Sequence, residues 1–446
     1  MQEDHPSTHP AKSILVLSGV KGDTRRYRAL HLIEQLRLCG VDARFVHLTD
    51  QNFTKVLASR SWDMVIFQRV AYVKFLGGVI EGLQKNNILM VSDFDDLIFD
   101  PSVFEYINSP DFADNIRSSL YKDTMQRIRG MLDCTQGILA STDYLAGQIR
   151  RLDKPVWVHR NAFSLKMLKI SEEVRSAARI RDPRRVVIGY GSGTPTHNRD
   201  FEMIRPALKK VMLKYPQVEL QLIGPLDPGD DWQGLENRIR SLKLVPWSRL
   251  PWLLADFDIN LAPLVMDNPF SQSKSEIKWM EAAMVNVPTV ASPTDAYAFA
   301  IRSGENGFLT NTQEEWVETL SNLVMDAELR NHVGKLALDT VLADYHPAKR
   351  AKELVDRLED IHQSCQGKVF WSEAKPEQES ITVRVQKAVN EGGWVPEQFE
   401  KGPSYFQMGL YTLRTTGFLA TVQFMWIFFR RMISPIVPFN KRKIEK

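Results

Sequence analysis

Cysteine is scarce in this sequence, and its scarcity excludes two kinds of structure. The 446 residues include three cysteines, Cys39, Cys134 and Cys365, which lie far apart in the chain. An odd number of widely spaced thiols fits neither a disulfide framework nor a cysteine-ligated metal cluster. The cysteine content therefore favours a reducing compartment.

An excess of charge of one sign and a secretory leader are also lacking. Lys and Arg number 57 against 54 Asp and Glu, a balance that argues against nucleic acid as a partner. The first residues, MQEDHPSTHPAKS, lack the basic and then apolar pattern of a secretory signal. We therefore expect a cytoplasmic protein, and the length predicts two or three domains.

No apolar run in the sequence reaches the length of a membrane-spanning helix. Residues 417–429, GFLATVQFMWIFF, fall short of the ~20 residues that a spanning helix needs. Basic residues follow them, with Glu445 as their one acidic neighbour. One interpretation is that residues 402–446 form an interfacial anchor on an anionic membrane surface, so that the protein is peripheral on the inner face of the membrane. The alternative is a hydrophobic helix that packs on the domains or in a dimer contact.

Two units with the same order of elements predict the fold. The first opens with SILVLSG at residues 13–19, and the second with VVIGYG at residues 186–191; in each, a loop and a helix follow. Strand, glycine-containing loop and helix is the opening of a doubly wound α/β domain. We therefore expect two Rossmann-like domains that face each other, at residues 12–165 and 185–345, with the highly charged stretch 165–185 as the linker.

Residues 268–292 carry the pattern around which the second unit is organised. Ser273 and Glu276 fit a capping box and predict that a helix starts at Ser273. Asn286 falls where that helix must end, since Asn tolerates the left-handed backbone of a helix C-terminus. Residues 287–291, VPTVA, are apolar and β-branched, which is typical of a parallel strand buried on both faces.

Three polar side chains share one face of the predicted helix: Lys274, Lys278 and Glu281. Cations beside the free N–H groups of a helix start suit a phosphate, and a carboxylate further along the helix can accept hydrogen bonds from sugar hydroxyls. The alternative is a Lys–Glu ion pair on a solvated face.

The loop after the first strand of the second unit predicts a diphosphate site rather than a dinucleotide-binding loop. Its glycines resemble a dinucleotide fingerprint, but the residues after them keep the loop open, and the helix is expected to start only near Asp200. Ser192, Gly193, Thr194 and His197 are therefore expected to present donors to a diphosphate. The alternative for His197 is an ordinary loop histidine. This loop faces the loop before Lys274 across a cleft between the domains, a usual place for a small-molecule site.

The first unit carries cations at the corresponding place. Lys21, Arg25, Arg26 and Arg28 follow the strand that ends at Gly19. Cations oppose the dipole at a helix start, and a bound anion would resolve that conflict. The alternative is a basic, solvated first turn.

Acidic residues follow the fourth strand of the first unit. Asp93, Asp95, Asp96 and Asp100 lie at or just after it, and Arg69 ends the third strand. A carboxylate cluster just past a buried strand belongs at the active face rather than in the core. One of these groups is a candidate general base or acceptor for a sugar hydroxyl. The alternatives are an Asp-rich helix start or turn, and, ranked last, a divalent metal site.

Between about residues 13 and 361 the sequence resembles the GT-B glycosyltransferases of the retaining, group 1 type, family GT4. Five segments in the family's order carry the resemblance: IGYGSGTPTHNRDF (188–201), FDINLAPL (257–264), KSEIKWMEAAMVNVPTVAS (274–292), ENGFLTNTQEEW (305–316) and a late helix near ELRNHVGKLA (328–337). The resemblance implies that residues 346–365 form a helix that crosses back to the first domain, and that residues 366–446 are a tail outside the family core.

The resemblance also implies roles for the residues singled out above. It places a nucleotide-sugar on the second domain, with its ribose at Glu281, and a glycan or glycolipid acceptor on the first domain. It implies a reaction with retention, without a metal and without a cofactor. The donor-binding set is then Gly19, Ser192, Gly193, Thr194, His197, Ser273, Lys274, Lys278 and Glu281. The catalytic set is Asp95, Asp96 and Lys274, and Arg25, Arg28 and Arg69 are assigned to the acceptor or to phosphate.

The sequence departs from the family pattern at one informative position. Ser273 stands where the family has a second Glu, eight residues before the ribose Glu. We expect a hexosyltransferase-type enzyme that transfers sugar to a cell-surface polysaccharide or glycolipid. The departure keeps open a non-catalytic GT-B-like binding protein, and a nucleotide-sugar epimerase shares the fold.

Overall fold

The computed structural model of the chain describes most residues up to Gln366 and a few segments after them. The described residues are 12–50, 52–107, 109–178, 182, 184–366, 378–390, 413, 421 and 422. Apart from Leu413, Thr421 and Val422, the expected membrane anchor at residues 402–446 lies outside them. In the described part of the chain, no helix is both long and apolar enough to cross a membrane.

The first domain is built on six parallel strands. They are β1 (Ser13–Ser18), β2 (Asp42–His47), β3 (Met64–Gln68), β4 (Leu89–Phe94), β5 (Gly137–Ala140) and β6 (Val156–Val158). The strand order is β2-β1-β3-β4-β5-β6. Along β1, Ile14 and Val16 pack into the core on one face of the sheet, and Leu15 and Leu17 into the core on the other. A continuous apolar run is what a strand covered on both faces requires.

Helices of the first domain follow its strands. They are α1 (Gly22–Arg25), α2 (His31–Leu38), α3 (Phe53–Ala58), α4 (Lys74–Lys85), α5 (Asn115–Cys134) and α6 (Asp143–Arg150). The next helix, α7 (Leu165–Ser176), begins against the first domain and packs mainly on the second. A π-helical turn, Arg26–Leu30, joins α1 to α2, and two short 3-10 helices, Pro101–Tyr106 and Pro110–Ala113, precede α5.

The second domain has a sheet of the same kind. Its strands are β7 (Val186–Gly191), β8 (Val218–Ile223), β9 (Ile239–Leu242), β10 (Ile259–Ala262), β11 (Thr289–Ala291) and β12 (Phe308–Leu309). The order is β12-β11-β10-β7-β8-β9, and all pairings are parallel. The expected fold, two Rossmann-like doubly wound domains, is confirmed. In such sheets ligands bind where the strand order reverses, beyond the carboxyl ends of the strands.

Helices of the second domain complete it, and two more follow. The first set is α8 (Asn198–Lys214), α9 (Leu250–Leu254), α10 (Pro269–Gln272), α11 (Ile277–Ala283), α12 (Asp295–Ala300), α13 (Gln313–Met325) and α14 (Ala327–Asp344). The last two are α15 (Pro347–Gln366) and α16 (Gln378–Asn390). Three short 3-10 helices are also present, at Pro195–His197, Glu236–Arg238 and Trp247–Arg249.

Helices α15 and α16 pack on the first domain rather than the second. Ala351, Leu354 and Leu358 of α15 are buried in the same core as β1, and Ile381 of α16 joins them. Arg384 of α16 also donates a hydrogen bond to the carbonyl of Leu38 at the end of α2, 3.1 Å away. The chain therefore crosses between the domains twice, before α7 and between α14 and α15.

The charged stretch 165–185 begins with a helix rather than an open linker. Ser164 caps α7 by accepting a hydrogen bond from the backbone N–H of Met167, at 3.1 Å. Met167 and Val174 are buried, whereas Glu172 and Glu173 are exposed. The charged residues lie on the solvated face of a helix, and apolar residues cover its other face. The high charge that suggested a linker is therefore a property of the exposed face alone.

The capping box predicted at Ser273 and Glu276 is wrong. Ser273 ends the short helix α10, and α11 begins four residues later, at Ile277. The Ser273 hydroxyl donates to the carbonyl of Phe270, at 2.8 Å, and accepts from the backbone N–H of Leu97 in the first domain, at 3.2 Å. The Ser273 hydroxyl is therefore engaged in a tertiary hydrogen bond, which the local sequence pattern does not reveal. The left-handed backbone of Asn286, with φ of 62°, is confirmed.

Glu34 is a carboxyl group buried between α2 and α7. It accepts a hydrogen bond from the backbone N–H of Leu165, at 2.9 Å, and its side chain is almost fully covered. Burial raises the pKa of Glu34 from 4.5 to about 7. The folded state therefore binds a proton that the unfolded state releases between those two pH values. The stability contributed by protonated Glu34 is complete below the unfolded pKa and is lost as the pH rises through the folded pKa.

Replacement of Glu34 by Gln should remove this loss, because the amide oxygen still accepts from Leu165 and cannot ionise. We expect the free energy of unfolding of E34Q, relative to the unmodified chain, to increase by about 2–3 kcal/mol between pH 5 and pH 8. Denaturant unfolding at both pH values measures it. E172Q, at an exposed position of α7, is the matched control; an equal pH dependence in both variants would contradict the assignment.

Candidate functional site

The two domains enclose a cavity of about 510 Å³ at the carboxyl ends of their sheets. The first domain lines it with residues that follow β1 and β4: Lys21, Gly22, Asp23, Thr24, Tyr27, Asp95 and Asp96. The second domain lines it with Gly191, Ser192, Gly193, Thr194, His197, Asn260, Lys274, Ser275, Lys278 and Glu281, and with an apolar wall that includes Ile223, Leu244, Val245, Leu250 and Leu254. Most of the residues predicted to bind the donor thus lie around one space.

Glu281 projects from α11 towards the first domain. Its Oε1 accepts a hydrogen bond from the Tyr27 hydroxyl, at 2.7 Å, and lies 3.4 Å from Nη2 of Arg26. Burial raises the pKa of Glu281, while the Arg26 charge opposes that change. Burial also raises the pKa of Tyr27 well above its usual value of 10.0, so the phenol keeps the proton that it donates.

Arg26 finds acidic partners within the protein. Its guanidinium bonds Asp23, at 3.1 Å from Nε, in addition to Glu281, and stacks over the ring of Trp247 with 5.0 Å to the centroid. The cation–dipole conflict expected at this turn is therefore relieved by side chains. The alternative of a basic, solvated first turn is wrong for Arg26, because its side chain is buried.

Arg28 and Asp93 form a buried ion pair instead of facing the cavity. Nε and Nη2 of Arg28 donate to the two carboxylate oxygens of Asp93, at 2.9 and 2.6 Å, and both side chains are at most 1% exposed. The placement of the whole aspartate cluster at the active face is therefore wrong for Asp93, because its side chain points from β4 into the domain. Bidentate pairing explains why two charges are tolerated there.

Arg69, Asp95, Asp96 and Lys274 form an ion-pair network across the domain boundary. Lys274 of the second domain lies 2.7 Å from Oδ1 of Asp96, and Arg69 contacts Oδ2 of Asp96 at 3.0 Å and Asp95 at 3.5 Å. Burial and the Asp96 charge raise the pKa of Asp95. Burial would raise the pKa of Asp96 as well, but Lys274 and Arg69 hold it below its usual value.

The loop after β7 is held open by its own hydrogen bonds. The Ser192 hydroxyl donates to the carbonyl of Thr194, at 2.7 Å, and a 3-10 turn follows before α8 begins at Asn198. His197 Nδ1 lies 2.9 Å from a carboxylate oxygen of Asp200, and Nε2 lies 3.4 Å from the Lys278 ammonium. Burial and the Lys278 charge lower the pKa of His197 to about 4, so its ring is neutral near pH 7.

Several predicted site residues do not line the cavity. Gly19 packs under Arg69, since an added Cβ would come 2.6 Å from its carbonyl oxygen. Arg25 is 4% exposed and lies near His47, whose pKa burial and the Arg25 charge lower to about 4. Ser273 is fully buried at its contact with Leu97. None of these lines the space that holds Lys278 and Glu281.

Residue-by-residue reading of the sequence missed several residues at the cavity. Tyr27 lies between two arginines in the sequence RRYR, where the charges attract attention, yet it makes the closest contact to Glu281. Asn161, which follows β6, does not line the cavity itself but donates to the hydroxyl of Ser275, which does, at 3.0 Å. Its place at the carboxyl end of a predicted strand was the available signal, because ligand loops of such sheets begin there.

A second cavity, of about 530 Å³, lies beside the amino-terminal part of the second sheet. It is lined by Val187, Asp258, Pro288 and several arginines. None of the residues predicted to bind a ligand lines it.

Comparison with known proteins adds to this geometry. Residues 199–356 match the model of a family described as glycosyl transferase-like. No curated protein sequence matches the chain at a significant level. Among solved structures, the sucrose-phosphate synthase of Thermosynechococcus elongatus is similar with a TM-score of 0.55 and 14% identity, over 79% of this chain and 100% of that chain.

Two further solved structures show the same likeness. A glycosyltransferase from Rickettsia africae has a TM-score of 0.54 and 12% identity, over 79% of this chain and 99% of that chain. Anabaena HepE in complex with UDP has a TM-score of 0.53 and 15% identity, over 78% of this chain and 100% of that chain. The chain therefore has the two-domain GT-B fold of these structures, and its residues 199–356 are similar to a glycosyl transferase-like family.

Proposed function

We propose that this protein transfers a sugar from a nucleotide-sugar to a glycan or glycolipid acceptor, as a hexosyltransferase of the GT4 type. The observation that carries the proposal is the convergence of Lys274, Lys278 and Glu281 with the loop after β7 on one cavity between two Rossmann-like domains. The solved complex of HepE contains UDP, which supports a nucleotide-sugar as the donor.

The donor is assigned to the second-domain wall of the cavity. Lys274 and Lys278 supply positive charge for its diphosphate, and the loop from Ser192 to His197 supplies hydroxyl and imidazole groups beside it. Glu281 supplies a carboxylate for the ribose hydroxyls. The apolar wall formed by residues such as Leu244 and Leu250 suits a flat nucleobase.

The acceptor is assigned to the first-domain wall, where Asp95 and Asp96 line the cavity. A carboxylate there can accept a hydrogen bond from the attacking sugar hydroxyl. In the proposed mechanism, Lys274 stabilises the leaving diphosphate electrostatically and releases Asp96 as it does so. We propose retention at the anomeric carbon on the resemblance to the group 1 type.

We further propose that the reaction needs no metal. Asp95 and Asp96 face Arg69 and Lys274, which already balance their charges. The described residues contain no group of three or more potential metal ligands. Two protein cations at the cavity can act on the leaving diphosphate in the role that a divalent ion has elsewhere.

One observation favours a second candidate, a GT-B-like binding protein without catalysis. The position eight residues before Glu281 is Ser273, and its hydroxyl is committed to Leu97 and Phe270 rather than to the cavity. Such a protein would bind a glycan or protein partner and need not bind a nucleotide.

Thermal unfolding in the presence of UDP, GDP and ADP distinguishes the two candidates. We expect one of these nucleoside diphosphates to raise the Tm, because a ligand that binds only the folded state stabilises it. The matching nucleotide-sugars, incubated with the protein, should then release the diphosphate slowly as the sugar is transferred to water in place of the acceptor hydroxyl. Unchanged Tm with all three would favour the binding protein.

Replacement of Glu281 by Ala should weaken binding of that nucleoside diphosphate at least about ten-fold, because two charge-assisted hydrogen bonds to ribose are lost. Calorimetric titration measures the Kd. Because Glu281 also contacts Tyr27, Y27F is the informative control: it removes the contact but keeps the carboxylate, and should bind at least as tightly as the unmodified chain. Equal weakening in both variants would assign the effect to domain contact, and unchanged affinity of E281A would refute the ribose role.

Replacement of Lys278 by Met should weaken binding of the diphosphate but not of the corresponding nucleoside. We expect a loss of about ten-fold or more for the diphosphate, since the lost partner is an ammonium near its charge. Lys335→Met, at an exposed position of α14, is the matched control. A similar loss for the nucleoside would show that Lys278 does not act on the phosphates.

A further inference from the structure

Ser275 lies at the cavity between the two lysines of the proposed donor site. It belongs to the loop that joins α10 to α11, and its side chain lines the same space as Lys274 and Lys278. Its Oγ accepts a hydrogen bond from Nδ2 of Asn161, at 3.0 Å. Asn161 follows β6, so this bond joins the first domain to the second.

The direction of that hydrogen bond is fixed by a third residue. Nη1 of Arg28 donates to Oδ1 of Asn161, at 3.2 Å. A guanidinium can only donate, so the amide oxygen of Asn161 must face Arg28 and its NH₂ group must face Ser275. The Ser275 oxygen is therefore an acceptor in this contact, and its own proton is left for another acceptor.

Arg28 itself is held in place from three sides. It donates to both carboxylate oxygens of Asp93 and, from Nη1, to the carbonyl of His159 at 2.7 Å. Its side chain is 1% exposed. A buried arginine with this many partners has one orientation. Its hydrogen bond to Asn161 therefore fixes the orientation of the Asn161 amide as well.

No acceptor for the Ser275 proton is found in the described part of the chain, while the side chain borders the cavity. The neighbouring ammonium groups make an anionic oxygen the best-suited acceptor. We propose that Ser275 is a further donor-binding residue, whose hydroxyl donates to a phosphate oxygen of the nucleotide-sugar, and that Asn161 and Arg28 are positioning residues for it. This inference rests on the proposed function.

The arrangement links ligand binding to the position of the domains. Ser275 belongs to the second domain, whereas Asn161 and Arg28 belong to the first. The hydroxyl is therefore oriented by these residues only while the domains stand as they do here.

Calorimetric titration of the stabilising nucleoside diphosphate, chosen among UDP, GDP and ADP, into four variants tests the inference. We expect Ser275→Ala to weaken binding of the diphosphate about ten-fold. The Kd of Ser275→Thr, which keeps the hydroxyl, should stay within about three-fold of that of the unmodified chain. Binding of the corresponding nucleoside should be unchanged in both. Asn161→Leu alone should also weaken binding of the diphosphate. Combined with Ser275→Ala, it should cause no further loss of affinity, because Asn161 acts through the Ser275 hydroxyl.

Each other result has a defined meaning. If Ser275→Ala binds within about two-fold of the unmodified chain while E281A and K278M lose affinity, the inference fails and the donor site stands. Additive effects of Asn161→Leu and Ser275→Ala would overturn the positioning role. If Asn161→Leu lowers the Tm sharply, its affinity does not report on positioning. The comparison of Ser275→Ala with Ser275→Thr then decides whether Ser275 binds the donor. If no nucleoside diphosphate binds the unmodified chain, the proposed function fails and the inference fails with it.

Discussion

Charged side chains at the boundary between the two domains have to find partners across it. Lys274 meets Asp96, and Glu281 meets Tyr27 and Arg26; each of these contacts joins the two domains. Removal of an ion from water without a partner costs several kcal/mol, so an arrangement that left these groups buried and apart would be strongly disfavoured. The position of the domains and the geometry of the cavity therefore have the same cause.

A second buried carboxylate extends this constraint to the connections between the domains. Glu276, just before α11, accepts a hydrogen bond from the Tyr345 hydroxyl, at 2.7 Å, and lies 3.7 Å from Nη1 of Arg160. Arg160 precedes the first crossing of the chain and Tyr345 precedes the second. The start of α11, which carries Lys278 and Glu281, is thus tied to both crossings, and a change in domain position would be felt at the residues proposed to bind the donor.

The sequence predicted those features that depend on neighbours along the chain. The strand and helix order, the turn at Asn286 and the common face of Lys278 and Glu281 follow from periodicity and backbone preference. The sequence did not predict the partners of Arg28 and Ser273, because both bond residues more than 60 positions away. A polar residue in a loop pattern looks available for a ligand until its tertiary partner is known. For the same reason only part of the predicted set of site residues lines the cavity between the domains.

The packing of α15 and α16 on the first domain has a consequence for how the protein is made. The sheet of β1 to β6 leaves the ribosome early, but the helices that cover part of its apolar surface are translated after the whole second domain. The second domain can close its own core before the first is complete. Until the last helices arrive, the nascent chain carries an uncovered hydrophobic face, a state in which chaperones bind and aggregation begins.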